Sequence, residues 1–412
     1  MNKRRSHPGQ ASPHYNVLML APTMFFADYG SHVRILEEAI SLRALGHRIT
    51  ILAYPNGRDI AGLKVLRCWG VPFNYRIIVG SSRHKFYLDA MLALRSLWAM
   101  AQVKPDLIHA HMHEAALIGA VLSKLWRVPL LFDFQGSMTS EMVDHRFLAP
   151  DSALYRPFRW LEERIVRFPE AIVTSSHNGA RLLRNEFDRA DGNIYTISDC
   201  ANPKTFRPGV VDEQERAALR ARYGVPAEAQ VVVYLGLLAE YQGISHLLHA
   251  ARLILEQRPD TYFLIFGFPS VAHYQARARE LGVAERVFLP GAVPYEEVPR
   301  HLALGDVAVA PKLSATEGAG KILNYMAMAL PTVAFDMPVS REYLGEWGVY
   351  AEPGNAESLA QALLATLQAP QEARSRGQHL RQRILERYTW EQGGQKIVDV
   401  YKKVCPYPRS ML

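Results

Sequence analysis

Residues 310–327 read APKLSATEGAGKILNYMA, an order typical of the end of a strand, a polar loop and a helix. Residues 318–320 bring two glycines to the start of that helix. Backbone amides at such a start can hold a phosphate, with Lys321 beside them, and Glu317 would face a neighbouring hydroxyl. A P-loop is excluded, because the Gly-Lys pair is followed by isoleucine where Ser or Thr is required. A glycine-rich turn before a buried helix is the alternative without a ligand.

Short apolar runs recur on both sides of this stretch, and most of them precede a longer segment of helical period. Continuously apolar strands that alternate with helices are typical of parallel sheets covered on both faces. Segment 202–212, with two prolines and a glycine, predicts a linker. We therefore predict an α/β protein with two doubly wound, Rossmann-like domains and functional loops at the strand ends. The predicted strands are 16–20, 48–54, 107–110, 129–134, 171–175, 193–198, 231–235, 262–266, 287–289, 307–310, 332–335 and 349–351; helices are predicted over 356–367, 370–387 and 390–404.

Composition narrows the class of protein. The chain has 412 residues, 49% of them apolar and 21% charged, which is enough for large buried cores. A net charge of +7 is mild for this length and argues against a nucleic-acid-binding protein. Three widely spaced cysteines supply neither a disulfide framework nor a zinc motif, and fit a reducing cytoplasm. The sequence contains no stretch of signal-peptide type and no run of roughly 18 apolar residues that could span a membrane.

Two segments of the first half could carry chemistry. Gly30 opens a helix after the first strand, where backbone amides could meet an anion, although an ordinary turn explains a single glycine equally well. His109, His111 and His113 have alternate spacing, which predicts that they share one face of an extended segment. The sequence does not favour a metal site here, because no Cys or Asp partners occur at suitable spacing. A histidine at a strand end can donate to a sugar hydroxyl, and simple loop hydrogen bonding is the alternative.

Taken together, these segments resemble the retaining family 4 glycosyltransferases of the GT-B fold, the glycosyl transferases group 1. In the second half the resemblance rests on residues 234–238, 242–243, 289–293, 317–327, 331–335 and 388–392. In the first half it rests on residues 30–34, 45–52, 105–111 and 173–176. The matching segments occur in the family's order between residues 16 and 404.

The resemblance implies two domains that face a central cleft. Residues 1–15 would form a basic flexible tail, residues 16–203 an acceptor-binding domain, and residues 204–386 a domain that binds a nucleotide sugar. Residues 387–412 would include a helix that crosses back to the first domain. A retaining transfer would hold donor and acceptor between the domains, with the donor phosphate taking up the acceptor proton.

The resemblance also implies roles for individual residues. Glu317 and His111 would be catalytic, with Glu317 against the donor hexose and His111 against the transferred sugar. The amides of residues 318–320 would meet the diphosphate, and the backbone at Gly291 and Val293 would meet the base. The expected donor-binding residues are Gly236, Gln242, Gly291, Val293, Lys312, Gly318, Ala319, Gly320, Lys321 and Asn324. The expected acceptor-binding residues are Gly30, Ser31, His109 and Gln135.

The sequence departs from the family at the expected diphosphate site. An arginine and a lysine of the family, which neutralise the leaving diphosphate, are replaced here by Leu237 and Gln242. Each lost charge-assisted contact would cost about 1.5–3 kcal/mol. We hypothesise that Lys312 and Lys321 replace these cations. There are three smaller departures. Asn324 stands in place of the second glutamate of a paired motif, Gln135 in place of a histidine, and Tyr29 in place of one of two glycines.

We therefore expect an enzyme that moves a sugar from a nucleotide-sugar donor onto a glycan or lipid-linked acceptor with retention of configuration, without a metal or cofactor. A non-catalytic protein that binds sugar nucleotides and a GT-B sugar-nucleotide epimerase are the alternatives. Segments 76–98 and 155–168 mix basic and aromatic residues, as do helices that lie on anionic membranes. Helices packed on the sheet with a solvated basic edge explain both segments equally well. We expect a cytoplasmic protein of polysaccharide or cell-envelope synthesis, with peripheral contact at the inner membrane face left open.

Overall fold

A computed structural model describes residues 13–28, 30–70, 85–145, 147–187, 189, 192–314 and 318–408. Two parallel sheets organise these residues, one in each half of the chain. Cys68, Cys200 and Cys405 all carry free thiols, as their spacing predicts.

The first sheet has seven strands. They are β1 (Asn16–Ala21), β2 (Arg48–Ala53), β3 (Lys64–Arg67), β4 (Leu107–His111), β5 (Leu130–Phe134), β6 (Ala171–Thr174) and β7 (Ile194–Thr196). Their order is β3-β2-β1-β4-β5-β6-β7, and every neighbouring pair is parallel. The six predicted strands of this half are confirmed. The prediction lacks β3, because this short edge strand is only partly buried and its four residues carry little apolar pattern.

Among the described residues, six helices belong to this half. They are α1 (Gly30–Ala44), α2 (Lys85–Val103), α3 (Met112–Trp126), α4 (Met138–Asp144), α5 (Tyr155–Arg167) and α6 (His177–Asn185). The basic, aromatic segment 76–98 lies only partly within the described residues, where it belongs to α2. This helix buries Leu88, Leu92 and Met100 against the sheet and leaves its opposite side exposed.

The second sheet has six strands, all of them predicted. They are β8 (Gln230–Leu235), β9 (Thr261–Phe266), β10 (Val287–Gly291), β11 (Val307–Ala310), β12 (Thr332–Phe335) and β13 (Val349–Ala351), in the order β10-β9-β8-β11-β12-β13. The helices are α7 (Glu213–Arg222), α8 (Ile244–Gln257), α9 (Val271–Glu280), α10 (Val298–Leu302), α11 (Gly320–Ala327), α12 (Pro338–Leu344), α13 (Ala356–Gln368) and α14 (Pro370–Arg387). The last helix, α15, spans Trp390–Val404.

Both sheets are doubly wound, which confirms the predicted fold class. In the first sheet the strand order reverses between the neighbouring strands β1 and β4, and in the second sheet it reverses between β8 and β11. Ligands of such sheets bind at the carboxyl ends of the strands, at this switch point. The two switch points face a common cleft, since loops from both sheets line one cavity.

Direct contacts join the two halves beside this cleft. The Tyr295 hydroxyl donates to Glu37 Oε1 at 3.0 Å, and the Tyr295 amide donates to Asp28 Oδ1 at 2.7 Å. On another side, the His177 amide donates to Glu342 Oε2 at 2.9 Å. Hydrogen bonds therefore connect the two halves on two sides of the cleft.

The helix α15 returns from the second half and packs against α1. Ser41 Oγ donates to the carbonyl of Trp390 at 2.6 Å, and the Tyr15 hydroxyl donates to the carbonyl of Cys405 at 3.1 Å. Ile397 and Tyr401 of the predicted apolar stripe are fully buried. The amphipathic period of this segment thus reflects burial against the first domain.

Candidate functional site

A cavity of about 370 Å³ lies between the carboxyl ends of the two sheets. The first sheet contributes the loops after β1, β4 and β5, and the second contributes the loops after β8, β9, β10 and β11. Such a site, formed by loops of two rigid sheets, suits a ligand with several chemically different parts.

The glycine-rich segment forms one wall of this cavity. Gly318, Ala319 and Gly320 line it, and Gly320 is the first residue of α11, so the helix start predicted from the sequence is confirmed. The ammonium of Lys312 donates to the carbonyl of Gly318 at 2.6 Å. Amides at this helix start can receive an anion. Glu317 lies outside the described residues, so its catalytic role stays a prediction.

Lys321 lies deep in the same wall. Its ammonium donates to Gln242 Oε1 at 2.7 Å and to the Tyr234 hydroxyl at 2.8 Å, and lies 4.3 Å from the centre of the Tyr234 ring. Gly236 makes room for it, because a Cβ there would stand 2.6 Å from Lys321 Nζ. Lys321, Gln242 and Gly236 all line the cavity. A lysine ammonium is therefore present beside position 242.

The remaining expected donor residues divide into two groups. Val293 and Asn324 line the cavity. Gly291 does not: it ends β10 with a φ of 98°, and its carbonyl accepts from the Gly267 amide at 2.8 Å. Gly291 therefore shapes the turn behind Val293, and the structure does not bring it to the cavity.

On the opposite wall, three of the expected acceptor residues line the cavity. Gly30 begins α1 with a φ of 42°, a conformation that side-chain-bearing residues rarely adopt, and Ser31 follows it. Gln135 Nε2 donates to Asp133 Oδ2 at 2.8 Å, which fixes this side chain at the end of β5. Lys85 and Glu114 form an ion pair of 3.1 Å nearby. This wall offers both donors and acceptors to a hydroxylated ligand.

The histidine segment is arranged differently from the prediction. His109 and His111 stack on one another within β4, with ring centres 4.5 Å apart, and both are fully buried. His113 instead belongs to α3, packs edge-on against Phe132 and Phe134, and lines the cavity. The prediction that all three share one face is therefore wrong, because the strand ends at His111. The structure does not bring His109 to the acceptor wall or His111 to the cavity.

Arg34 connects these buried histidines to the cavity. Its guanidinium donates to both oxygens of Asp133 and to Asp199 Oδ1, and its Nε lies 3.0 Å from Glu38 Oε1. His111 Nδ1 lies 3.0 Å from the other side of the same Asp133 carboxylate. Arg34 and Asp199 reach the cavity, whereas Glu38 and Asp133 are fully buried.

The burial and charges of this network shift the pKa values of its acidic groups in different directions. Burial raises the pKa of Glu38 well above its ordinary value, although Arg34 acts against this shift. Burial also raises the pKa of Asp199. For Asp133 burial is outweighed by Arg34 and His111, which hold its pKa below the ordinary range. The sequence analysis did not identify this network. The available signal was the pair Arg34 and Glu38, four residues apart on the core-facing side of α1, together with Asp133 inside a buried strand.

Comparison with protein families matches two segments that together cover most of the chain. Residues 29–198 match a family model described as a glycosyl transferase 4-like domain, and residues 229–369 match the model of glycosyl transferases group 1. The boundary between the two matches falls between the two sheets.

Curated relatives include D-inositol 3-phosphate glycosyltransferases of two Corynebacterium species. The protein of C. diphtheriae is 26% identical over 72% of this chain and 70% of its own length. That of C. urealyticum is 24% identical over 92% of both chains. An alpha-D-kanosaminyltransferase of Streptomyces kanamyceticus is 23% identical over 72% of this chain and 77% of its own.

Solved structures share the fold over nearly the whole chain. Sucrose-phosphate synthase from Thermosynechococcus elongatus superposes with a TM-score of 0.79, covers 94% of this chain and 98% of its own, and is 19% identical. The HepE protein of Anabaena in complex with UDP-glucose gives a TM-score of 0.75, covers 95% and 100%, and is 16% identical.

Proposed function

Because the chain belongs to the glycosyl transferases group 1, with a glycosyl transferase 4-like first domain, we propose that it transfers a hexose from a nucleoside-diphosphate donor with retention of configuration. The donor would bind in the second-domain wall of the cavity. The acceptor hydroxyl would approach from the wall formed by Gly30, Ser31 and Gln135.

The position of Lys321 carries this proposal. Its ammonium lies against Gln242, where the resemblance implies a lysine, and beside the start of α11. A cation and helix-start amides together can stabilise the charge that develops on a departing diphosphate. Lys312 supports the same loop by its hydrogen bond to Gly318. The chain thus retains a positive charge at the proposed leaving-group site despite Leu237 and Gln242.

On the sugar side, we assign the histidine contact to His113 instead of His111. His113 lines the cavity, with its Nε2 3.4 Å from Glu162 Oε1, whereas His111 does not line the cavity and its Nδ1 faces Asp133. The glutamate contact stays with Glu317, as the resemblance implies. In a retaining transfer the donor phosphate takes up the acceptor proton, so the protein's contribution is to orient the two substrates and stabilise charge.

Donor binding and turnover test this function separately. Thermal shifts should be measured with UDP-, GDP- and ADP-sugars, beginning with UDP-glucose, the ligand held by the similar HepE structure. We expect one nucleotide class to stabilise the wild type and to lose this effect in Lys321→Ala. Lys204→Ala is the matched control, since Lys204 lies on the surface away from the cavity. Absence of any shift would argue against donor binding.

Product analysis then distinguishes the alternatives. Slow donor hydrolysis supports a transferase, and transfer to an added acceptor with an α product from an α donor supports retention. Binding without hydrolysis or transfer would favour a non-catalytic sugar-nucleotide-binding protein. An altered nucleotide sugar formed without any acceptor would favour an epimerase.

We also propose that the first domain contacts an anionic membrane. An exposed surface on α2, α3 and α5, here called the aromatic face, combines apolar and basic side chains; α3 packs between the other two helices. Trp98, Leu125 and Trp160 are 67%, 64% and 57% exposed. Arg95 lies over the Trp98 ring at 5.3 Å, and Arg164 over the Trp160 ring at 5.2 Å. Such pairs suit the boundary between headgroups and acyl chains.

This surface would bring a lipid-linked acceptor to the cleft while the protein stays peripheral. Among the described residues, no helix is long and apolar enough to cross a membrane. Sedimentation with vesicles should therefore show binding that requires phosphatidylglycerol and weakens with salt. The triple variant Trp98→Ser, Leu125→Ser, Trp160→Ser should lose it, and Leu385→Ser, an exposed leucine on α14, should not. Equal binding to neutral and anionic vesicles, or none, would contradict the proposal.

A further inference from the structure

Beneath the cleft, one carboxylate and two imidazoles converge in the core of the first domain. Glu38 belongs to α1, and His109 and His111 belong to β4. One ligand atom from each lies within 4.8 Å of the other two, and all three side chains are fully buried. Two histidines and a glutamate are a common zinc ligand set. None of the three lines the cavity, so this cluster is distinct from the proposed substrate site.

The atoms that face one another are not satisfied by hydrogen bonds. Within the described part of the chain, both Glu38 oxygens, His109 Nε2 and His111 Nε2 have no hydrogen-bond partner. His109 Nε2 stands 3.8 Å from Glu38 Oε2, too far for a hydrogen bond. Arg34 Nε approaches Glu38 Oε1 to 3.0 Å, but its hydrogen bonds go to Asp133. Buried polar atoms normally have partners, so the Nε2 atoms of His109 and His111 beside the Glu38 carboxylate, all without a hydrogen bond, require an explanation.

The other nitrogen of each imidazole is held in place. His109 Nδ1 lies 2.9 Å from the Tyr401 hydroxyl of α15, and His111 Nδ1 lies 3.0 Å from Asp133 Oδ2. An Nδ1–H that donates to a carboxylate leaves the Nε2 lone pair free and aims it. Metal-binding histidines are oriented by the same outer contacts. His111 is thus arranged so that Nε2 can act as a ligand, and His109 is arranged likewise in the tautomer whose Nδ1–H donates to the Tyr401 oxygen.

The charges of the surrounding residues also favour a bound cation. Three carboxylates, Glu38, Asp133 and Asp199, approach the single guanidinium of Arg34. When all three are ionised, the group carries two uncompensated negative charges in a buried place, which is unfavourable. A divalent cation among Glu38, His109 and His111 would balance them.

From the convergence of these unpaired ligand atoms, we propose that Glu38, His109 and His111 bind a structural divalent transition-metal ion, with zinc fitting the donor set best. Zinc accepts mixed imidazole and carboxylate ligands, and its filled d shell imposes no geometry of its own. The ion would tie α1 to β4 and, through Tyr401, stabilise the position of α15. This proposal is independent of the proposed transferase activity, and it replaces the expectation that the chain binds no metal. Its competitor is a neutral, protonated Glu38 beside the two histidines without any ion.

Metal content of the purified full chain tests the proposal. The protein is dialysed against zinc and then against metal-free buffer, and bound metal is counted by mass spectrometry. We expect about one zinc per chain in the wild type, and nearly none in Glu38→Gln or His109→Gln. Glu37→Gln is the matched control, because Glu37 is the preceding buried carboxylate on α1 but contacts Tyr295 instead of the histidines. It should keep its zinc.

Two measurements on the wild type keep the test decisive if the variants do not fold. X-ray absorption should show a shell of nitrogen and oxygen ligands with scattering typical of two imidazoles. Zinc at 100 times its dissociation constant should raise Tm by about 5 °C, and a chelator should reverse the shift. A folded wild type that takes up no zinc, zinc retained by folded Glu38→Gln, or a sulfur ligand shell would overturn the proposal.

Discussion

The ammonium of Lys321 and the side-chain oxygen of Gln242 are joined by a hydrogen bond of 2.7 Å in the wall of the central cavity. Gln242 stands where the resemblance implies a lysine. A positive charge therefore lies beside position 242, but it comes from the first turn of α11, and Gly236 accommodates it by lacking a Cβ.

This relationship predicts a charge exchange. Lys321→Gln should weaken donor binding by about 10-fold to 100-fold, because one charge-assisted contact is lost. Adding Gln242→Lys to that variant should recover part of the affinity, since the ammonium returns to the same place. Gln242→Lys alone should bring two ammonium groups together and lower stability. Calorimetric titration with the donor measures all three; a double variant no better than Lys321→Gln would show that the position of the charge does not matter.

A second prediction concerns the close approach of the two domains at Gly318. A Cβ at this position would lie 2.4 Å from Asp199 Oδ2 and 3.3 Å from Ser175 Oγ. Gly318→Ala should therefore displace the loop and weaken donor binding about 10-fold or more. Gly320→Ala should cost less, because its Cβ would stand an ordinary 3.7 Å from Asp199. Equal losses in the two variants would contradict this steric explanation.

A third prediction concerns the packing of α15 on α1. A Cβ on Gly394 would lie 2.0 Å from Ser41 Oγ and 3.0 Å from Ser41 Cβ. Although alanine favours a helix by about 1 kcal/mol over glycine, Gly394→Ala should lower the free energy of unfolding by about 1–3 kcal/mol. Adding Ser41→Gly should restore part of this loss. Urea unfolding of the wild type, the two single variants and the double variant measures these free energies. Gln395→Ala, on the exposed side of α15, is the control.

A fourth prediction concerns acid stability and His47. Burial lowers the pKa of His47 to about 4, and its Nδ1 accepts a hydrogen bond from the Tyr15 amide at 3.1 Å. Below pH 6.5 the unfolded chain binds a proton there that the folded chain does not, so stability falls as pH drops from 6.5 toward 4. The slope is at most ~1.4 kcal/mol per pH unit.

His47→Gln should remove that part of the slope while keeping an acceptor for the Tyr15 amide. The comparison must be made between variants, because Asp89 acts in the opposite direction: burial raises its pKa to about 7, so its contribution falls as pH rises from 3.8 to 7. Unfolding free energies at pH 4.5, 5.5 and 6.5 measure the difference, with the exposed His273→Gln as control. Parallel pH profiles for wild type and His47→Gln would refute the assignment.

Much of the fold could be predicted from local pattern. Buried parallel strands are continuous apolar runs, so all twelve predicted strands form. Of the strands in the described part of the chain, only the half-buried edge strand β3 lay outside the prediction. The glycines at 318 and 320 likewise predict the start of α11, because a helix start needs free backbone amides.

The site was less predictable, because side-chain direction depends on where each element ends. The alternate spacing of His109, His111 and His113 predicts one face only while the strand continues, and the chain turns into α3 after His111. His113 therefore reaches the cavity, and the other two face the core.

The sequence alone determined two doubly wound domains, because strand and helix periods are local properties of the chain. The resemblance carried by its motifs also implies that Leu237 and Gln242 replace two cations at the expected diphosphate site. Only the tertiary structure decided that the Lys321 ammonium lies against Gln242, and that Arg34, Glu38, His109 and Asp133 meet in one buried network. These groups come from elements far apart in the chain, and their distances follow from sheet order and helix packing, which no local pattern encodes.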